Sequence, residues 1–295
     1  MLRDFAAACA VRPPAPPDRR VRVLADDGTD LIAGVLEPRG GPVQSVLIFF
    51  HGAGAHMSAG YLDLCASIRD SGPCAALVPD LRGHGRSGGA RGKAAHPACL
   101  WRDVDRWVET ARARYPGATV HVGGHSLGAG LALNWLTRHG PARRDRVDSL
   151  ILLAPYTGRA EIDAVQDAMQ ARFVQHSKEH ASGDEARVRF DYAPEAAAAA
   201  GLLTSVSAAL FAALAPEDWY AQLGQAAAQV DVIAARDDEL FACLPMCEGV
   251  DRLARGSLRA SEVEGGHLTC LHRAGPAIAA VIEATISSIH SREAN

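Results

Sequence analysis

Short apolar runs alternate along this chain with longer segments in which apolar residues recur every three or four positions. Arg20 to Ala25 and Leu31 to Glu37 flank the turn-forming pair Asp27-Gly28, which predicts a β-hairpin. Ser45 to Phe50 is an unbroken apolar run, the pattern of a strand buried on both faces. Ala75 to Pro79, Ala118 to Gly123, Ser149 to Ala154 and Gln229 to Ala235 read the same way, and Ser257 to Val263 is a weaker eighth strand. Between them, Leu100 to Arg114, Leu127 to His139 and Pro276 to Ile289 carry helical periodicity. In the first of these Leu100, Val104, Trp107, Val108 and Ala111 share one face and the charges take the other. Strands alternating with helices predict an α/β fold: a mostly parallel eight-stranded sheet covered on both sides.

The alternation stops between Pro155 and Ala228. That stretch holds helix-like pieces around Glu161 to His180 and Ala196 to Leu214, and no clear strand. So long an interruption after the sixth strand predicts an inserted helical cap. The chain thus divides into a disordered leader (1–18), a core (19–154 and 229–295) and a cap (155–228). Ala196 to Pro216 is uncharged and about as long as a bilayer span. Its large residues Leu202, Leu203, Val206, Leu210, Phe211 and Leu214 gather mostly on one side, with Thr204, Ser205, Ala208 and Ala212 on the other. That one-sidedness argues against stable membrane insertion. The N-terminus resembles a signal peptide only loosely: Asp4 interrupts a short apolar run, and a proline-rich arm, Pro13 to Pro17, follows.

Composition narrows the class. The 295 residues suit one large domain, or one domain with an insertion, and 48% hydrophobic with 22% charged residues is ordinary for a globular protein. A net charge of −4 without a basic stripe argues against a nucleic-acid partner. The seven cysteines are odd in number and scattered, which predicts free thiols and a cytoplasmic location. Cys243 and Cys247 have no second Cys/His pair at zinc spacing, so both read as packing or surface residues and no metal is expected.

The strongest chemical signal is Gly124-His125-Ser126-Leu127-Gly128, a G-x-S-x-G pattern lying between the Ala118 to Gly123 strand and the Leu127 to His139 helix. In that setting a sharp turn lifts a serine hydroxyl above the carboxyl edge of a sheet. Glycines are needed at 124 and 128 because side chains there would strike neighbouring backbone. A serine needs a base to take its proton. His267, in Gly265-Gly266-His267 between the last strand and the last helix, fits best; His272 and His290 are weaker choices. The base in turn needs an acid. The strand Val230 to Ala235 runs into Arg236-Asp237-Asp238-Glu239, and spacing alone leaves Asp237, Asp238 and Glu239 open. The chain order serine, acid, histidine is the one expected of this fold. For a developing oxyanion, the glycine-rich His51-Gly52-Ala53-Gly54 loop brings in the N–H of Ala53, and the elbow brings in that of Leu127.

Together, His51-Gly52-Ala53-Gly54, Asp80 to Ser87, Gly124 to Gly128, Arg236 to Leu240 and Gly265 to His267 resemble the α/β-hydrolase superfamily. The resemblance is closest to the monoacylglycerol lipase and serine aminopeptidase-like (lysophospholipase-like) branch, over roughly residues 20–290. In that branch the acid stands three residues after the small residue ending its strand. Ala235 is that residue here, so the resemblance implies Asp238. It also implies Ala53 and Leu127 as oxyanion donors and a structural role for the Arg82-Gly83-His84-Gly85 segment. The cap matches poorly, and Ala235 stands where a glycine is more usual.

These readings predict a serine-dependent ester hydrolase acting on a small-molecule apolar acyl ester, monoglyceride-like or of medium chain length, without metal or organic cofactor. Cap residues Leu202, Val206, Leu210 and Phe211, with Leu203, Leu214, Trp219 and Tyr220, are candidates for an acyl-binding wall; packing the cap on the core is the other use of the same stripe. An acyltransferase or thioesterase would employ the same triad, and a non-catalytic binding protein would usually lack one of its members.

Overall fold

The computed structural model describes residues 15–138, 146–158, 173–176, 187–226, 228–253 and 256–293. Eight strands form the main sheet: β1 (Arg19–Leu24), β2 (Asp30–Leu36), β3 (Ser45–Phe50), β4 (Cys74–Pro79), β5 (Thr119–His125), β6 (Ser149–Leu153), β10 (Gln229–Ala235) and β11 (Leu258–Val263). Their order across the sheet is β1-β2-β4-β3-β5-β6-β10-β11. Only the β1–β2 and β2–β4 pairings are antiparallel; the others are parallel. Every residue of β3, β4 and β6 is buried, as their continuous apolar runs predict, whereas the edge strand β1 is largely open on one side.

Helices flank the sheet in two groups. α1 (Tyr61–Ser71) packs on the C-terminal helix α8 (Gly275–Glu293), α2 (Ala98–Arg114) packs on α3 (Leu127–Arg138), and α7 (Cys243–Arg252) packs on β11. The apolar periodicity anticipates α2, α3 and α8 to within a turn. Trp107 and Trp135, on α2 and α3, are among the largest fully buried side chains.

The segment between β6 and β10 departs from the expected all-helical insertion. It contains three short strands, β7 (Val174–His176), β8 (Arg187–Phe190) and β9 (Ser205–Ser207), which form a small antiparallel sheet in the order β7-β8-β9. The expected helix over Ala196 to Leu214 is two helices, α4 (Pro194–Ala200) and α5 (Ala208–Leu214), followed by α6 (Trp219–Gln225). Gly201 ends α4 in the left-handed conformation, with φ of 66°, and the chain then extends into β9. β8 alternates half-buried Arg187 and exposed Arg189 with buried Val188 and Phe190, but four residues with two charges make too short a pattern to stand out in sequence. The helix-like piece Glu161 to His180 lies mostly outside the described residues.

Residues 1–14 of the expected leader also lie outside the described residues. Its last part is packed: Ala15 N–H donates to Asp63 at 3.0 Å and Asp18 accepts from Glu37 N–H at 2.7 Å. Ala15 and Asp18, within the stretch expected as leader, are thus bonded to the core. Among the described residues no helix is long and apolar enough to cross a membrane, and the cysteines there are free thiols.

Candidate active site

The site forms at the carboxyl edge of the main sheet. β5 ends in the elbow, where Ser126 takes a φ of 55°, an unusual conformation for a residue with a side chain. Two glycines permit the turn. A Cβ on Gly124 would lie 2.4 Å from the Gly128 carbonyl carbon, and one on Gly128 would lie 2.4 Å from the Phe50 carbonyl oxygen. The elbow is tied to the neighbouring strand end: Ser126 N–H donates to Leu153 C=O at 3.0 Å, and Tyr156 N–H donates to Ser126 C=O at 3.1 Å.

His267 and Asp238 converge on this serine. Ser126 Oγ lies 2.9 Å from His267 Nε2, and His267 Nδ1 lies 2.9 Å from Asp238 Oδ2. A carboxylate oxygen can only accept, so Nδ1 carries the proton and Nε2 is free to accept from the serine hydroxyl. The other Asp238 oxygen accepts from Leu240 N–H and Phe241 N–H at 2.8 and 2.9 Å, which fixes the carboxylate plane. Burial by itself depresses the His267 imidazole. The Asp238 carboxylate, through charge and hydrogen bond with Glu239 adding to it, raises it net above its ordinary value.

The alternatives occupy other places. Asp237 is exposed. Glu239 accepts from the His267 backbone N–H at 2.9 Å rather than from the ring. His272 is exposed on the short 3₁₀ turn Thr269–His272, and the side chain of His290 lies outside the described residues.

Ala53 follows β3 in a loop held from several directions. Gly52 N–H donates to Tyr61 Oη at 2.9 Å, and Gly52 C=O accepts from Ala55 N–H at 3.3 Å and from His51 Nδ1 at 3.0 Å. The N–H of Ala53 donates to no acceptor among the described residues. Leu127 opens α3, where the first N–H groups of a helix lack intrahelical partners. A buried loop amide and a helix N-terminus are a chemically suitable pair for a developing anion.

Sequence reasoning missed the second layer. His125, the variable residue of the G-x-S-x-G pattern, contacts His267 C=O through Nε2 at 2.8 Å and Tyr61 Oη through Nδ1 at 3.0 Å. The carbonyl can only accept, so Nε2 holds the proton and Nδ1 accepts from Tyr61, whose oxygen accepts from Gly52 N–H. One hydrogen-bonded path thus links the backbones of the His267 and Ala53 loops. Burial, then the proximity of His267, holds the His125 imidazole well below its ordinary value, opposed by the bond to the His267 carbonyl. No spacing rule points to Tyr61. The position of His125 inside the motif was the available signal.

An aromatic row leads away from the imidazole. The Phe241 ring centroid lies 5.3 Å from His267, Tyr156 lies 5.6 Å from Phe241, and Phe211 of α5 lies 5.9 Å from Tyr156. The other wall candidates are placed differently. Val206 and Leu210 are fully buried, as is Trp219, while Leu202 and Leu203 run beside the Ala53 loop, where Leu203 N–H donates to Gly54 C=O. Among the described residues, no group of three His, Cys, Asp or Glu side chains is arranged to hold a metal ion.

Residues 41–200, more than half of the chain, match the family described as serine aminopeptidase, S33. The chain is 32% identical over 107 residues to the monoglyceride lipase of Homo sapiens, a match covering 36% of this chain and 34% of that protein. It is 34% identical over 90 residues to a monoglyceride lipase homolog of Monkeypox virus, covering 30% of this chain and 32% of the other. The match therefore spans about a third of the length of these curated relatives. Among solved structures, Est1E from Butyrivibrio proteoclasticus with bound ferulic acid superimposes with a TM-score of 0.62 at 16% identity, covering 93% of this chain and 100% of that one. The Pyrococcus furiosus esterase Pf2001 gives 0.59 at 15% identity, covering 92% and 91%. These two likenesses concern the fold.

Proposed function

The chain belongs to the serine aminopeptidase, S33, family of α/β hydrolases, and from that premise we propose that it is a serine-dependent carboxylic ester hydrolase working through an acyl-enzyme on Ser126. The observation that carries this reading is the unbroken chain of two 2.9 Å hydrogen bonds from Ser126 through His267 to Asp238.

The chemistry follows from the protons. His267 Nε2 takes the Ser126 proton as Oγ attacks the acyl carbonyl carbon. The carbonyl oxygen becomes an anion between the N–H groups of Ala53 and Leu127, and Asp238 stabilises the imidazolium. Collapse expels the alcohol, which takes the proton from Nε2, and leaves the acyl group on Oγ. Water then gives its proton to Nε2 while attacking the acyl carbon, and as the Oγ–acyl bond breaks Nε2 returns that proton to Ser126 Oγ and the carboxylic acid departs. Water and the chain's own groups supply every atom and proton.

For substrate we propose an apolar acyl ester, monoglyceride-like or of medium chain length, with residues 155–228 acting as the cap above it. Phe211, Tyr156 and Phe241 are the side chains we assign to the acyl wall; the fully buried Val206 and Leu210 pack the cap instead. The monoglyceride lipases to which the chain is similar favour the same class.

A fluorophosphonate probe tests the nucleophile: labelling of the wild-type protein and its disappearance in Ser126→Ala are expected, and labelling that persists in that variant refutes the assignment. A chain-length series of p-nitrophenyl esters tests the substrate, with kcat/KM rising from acetate toward medium chains. Highest kcat/KM on acetate overturns the acyl class.

A further inference from the structure

The Ala53 loop is bound on one side by the core and on the other by the insertion. Tyr192, between β8 and α4, donates from its hydroxyl to Ala53 C=O at 2.7 Å. Leu203 N–H donates to Gly54 C=O at 2.7 Å. His56 Nε2 donates to Ala200 C=O, also at 2.7 Å, since a carbonyl only accepts. Three short hydrogen bonds therefore join residues 53–56 to residues 192–203. The fit is close: a Cβ on Gly54, whose φ is 63°, would stand 2.0 Å from the Leu203 carbonyl oxygen.

These bonds bear on one group in particular. On the N-terminal side of Ala53, the Gly52 carbonyl is held by His51 and Ala55. On its C-terminal side, the Ala53 and Gly54 carbonyls are held by Tyr192 and Leu203. The Ala53 N–H shares its peptide plane with the held Gly52 carbonyl, and Tyr192 holds the next plane, so Ala53 is pinned on both sides. An oxyanion donor helps only when it is already aimed at the place where charge develops.

We propose that Tyr192 is a positioning residue, through which the insertion holds the Ala53–Gly54 peptide, helps to fix the direction of the Ala53 N–H and so takes part in transition-state stabilisation. The proposal rests on the serine-hydrolase reading above. Tyr192 is suited to the task because its ring is itself held, edge-on to Phe173 at 5.3 Å and to Phe190 at 6.3 Å.

The test is Tyr192→Phe, which keeps both ring contacts and removes only the donor. Both enzymes are titrated for active sites with a fluorophosphonate and assayed on p-nitrophenyl butyrate. The expected result is a kcat reduced by about tenfold, the worth of a good hydrogen bond, with KM little changed. A trifluoromethyl ketone, which forms a tetrahedral oxyanion adduct on the serine, should lose affinity by a similar factor. His56→Ala, at a half-buried position, cuts a second bond of the same clamp and should lower kcat in the same direction by a smaller factor.

A Tyr192→Phe kcat equal to wild type overturns the proposal. So does a higher KM at unchanged kcat, which would make Tyr192 a substrate contact, or a fall in thermal midpoint with titrated kcat intact, which would make it purely structural. Failure of the parent reading looks different: wild-type protein would then neither hydrolyse the ester nor be labelled at Ser126.

Discussion

The sheet side and the cap side of the site are built by different rules. Ser126, Asp238, His267 and Ala53 all stand on loops that leave the carboxyl ends of β5, β10, β11 and β3; β3, β5 and β10 are almost wholly buried, and β11 is the half-open edge strand beside β10. Their placement follows from the sheet, which sets neighbouring strands about 4.8 Å apart and so brings distant loops together. The insertion has no such frame. Among the described residues its strands are three or four residues long and its helices seven. It is held by individual bonds to the core: Trp101 Nε1–H and Asn134 side-chain N–H to Ala213 C=O, Ser207 N–H to Gly92 C=O, and the Tyr192, Leu203 and His56 clamp. A frame of long parallel strands fixes chemistry reproducibly, while a stitched insertion leaves room for substrate preference to vary.

That contrast has consequences that experiment can break. The largest expected effect lies on the sheet side. Asp238→Asn should lower kcat about 10⁴-fold by upsetting the His267 tautomer, whereas Asp237→Asn should leave it near wild type; steady-state kinetics on one ester decides, and the reverse ranking would displace Asp238.

On the cap side, Phe211→Ala should raise KM for a medium-chain ester by about tenfold or more, in line with the loss of several methylene-sized contacts. It should leave kcat and the acetate ester nearly unaffected. A kcat loss equal to that of the sheet-side variant would erase the proposed division of labour.

Acid should loosen the sheet side first. Burial pushes His51 and His84 down to about 3 and His121 to about 4. The unfolded chain protonates these imidazoles near pH 6.5, so the unfolded state binds more protons, and stability falls as pH drops from about 6.5 toward 3. His267, raised in the fold, contributes oppositely, with stability present at low pH and lost as pH rises through its folded value. His125 is depressed with them, and these four imidazoles outweigh His267 and the buried Asp80, Asp103 and Asp231, whose raised values act in the opposite sense; a falling thermal midpoint from pH 7 to 4 is expected, and a flat one would contradict the burial argument.

The smallest effect is a shift in a profile. His267 acts as base only when neutral. Its raised value places the acidic limb of kcat/KM above 6.5, and replacing Asp238 by Asn should move that limb down. An unmoved limb would mean that another group titrates.

The sheet side was also the legible side. β3, β4, β5, β6 and β10 announced themselves because a strand buried on both faces has to be continuously apolar. Ser126 and His267 were readable because elbow and loop glycines leave marks at fixed positions. Among Asp237, Asp238 and Glu239 spacing could not choose, since all three follow the same strand end. The structure brings Asp238 to the His267 ring, Glu239 to its backbone, and leaves Asp237 exposed. The insertion reads as all-helical because Ala196 to Leu214 favours helix locally, while in the fold Gly201 and the pairing of β9 with β8 override that preference.

Which strands are buried, where the elbow falls and which serine and histidine stand at strand ends are legible in the residues alone, because these depend on local periodicity and on glycines at backbone crossings. Which carboxylate meets the His267 ring, the small sheet in the insertion, the His125–Tyr61 link and the Tyr192 clamp emerge only from the folded arrangement. Each of these is a hydrogen bond or pairing between segments far apart along the chain, and such partners impose no short-range pattern on the residues that make them.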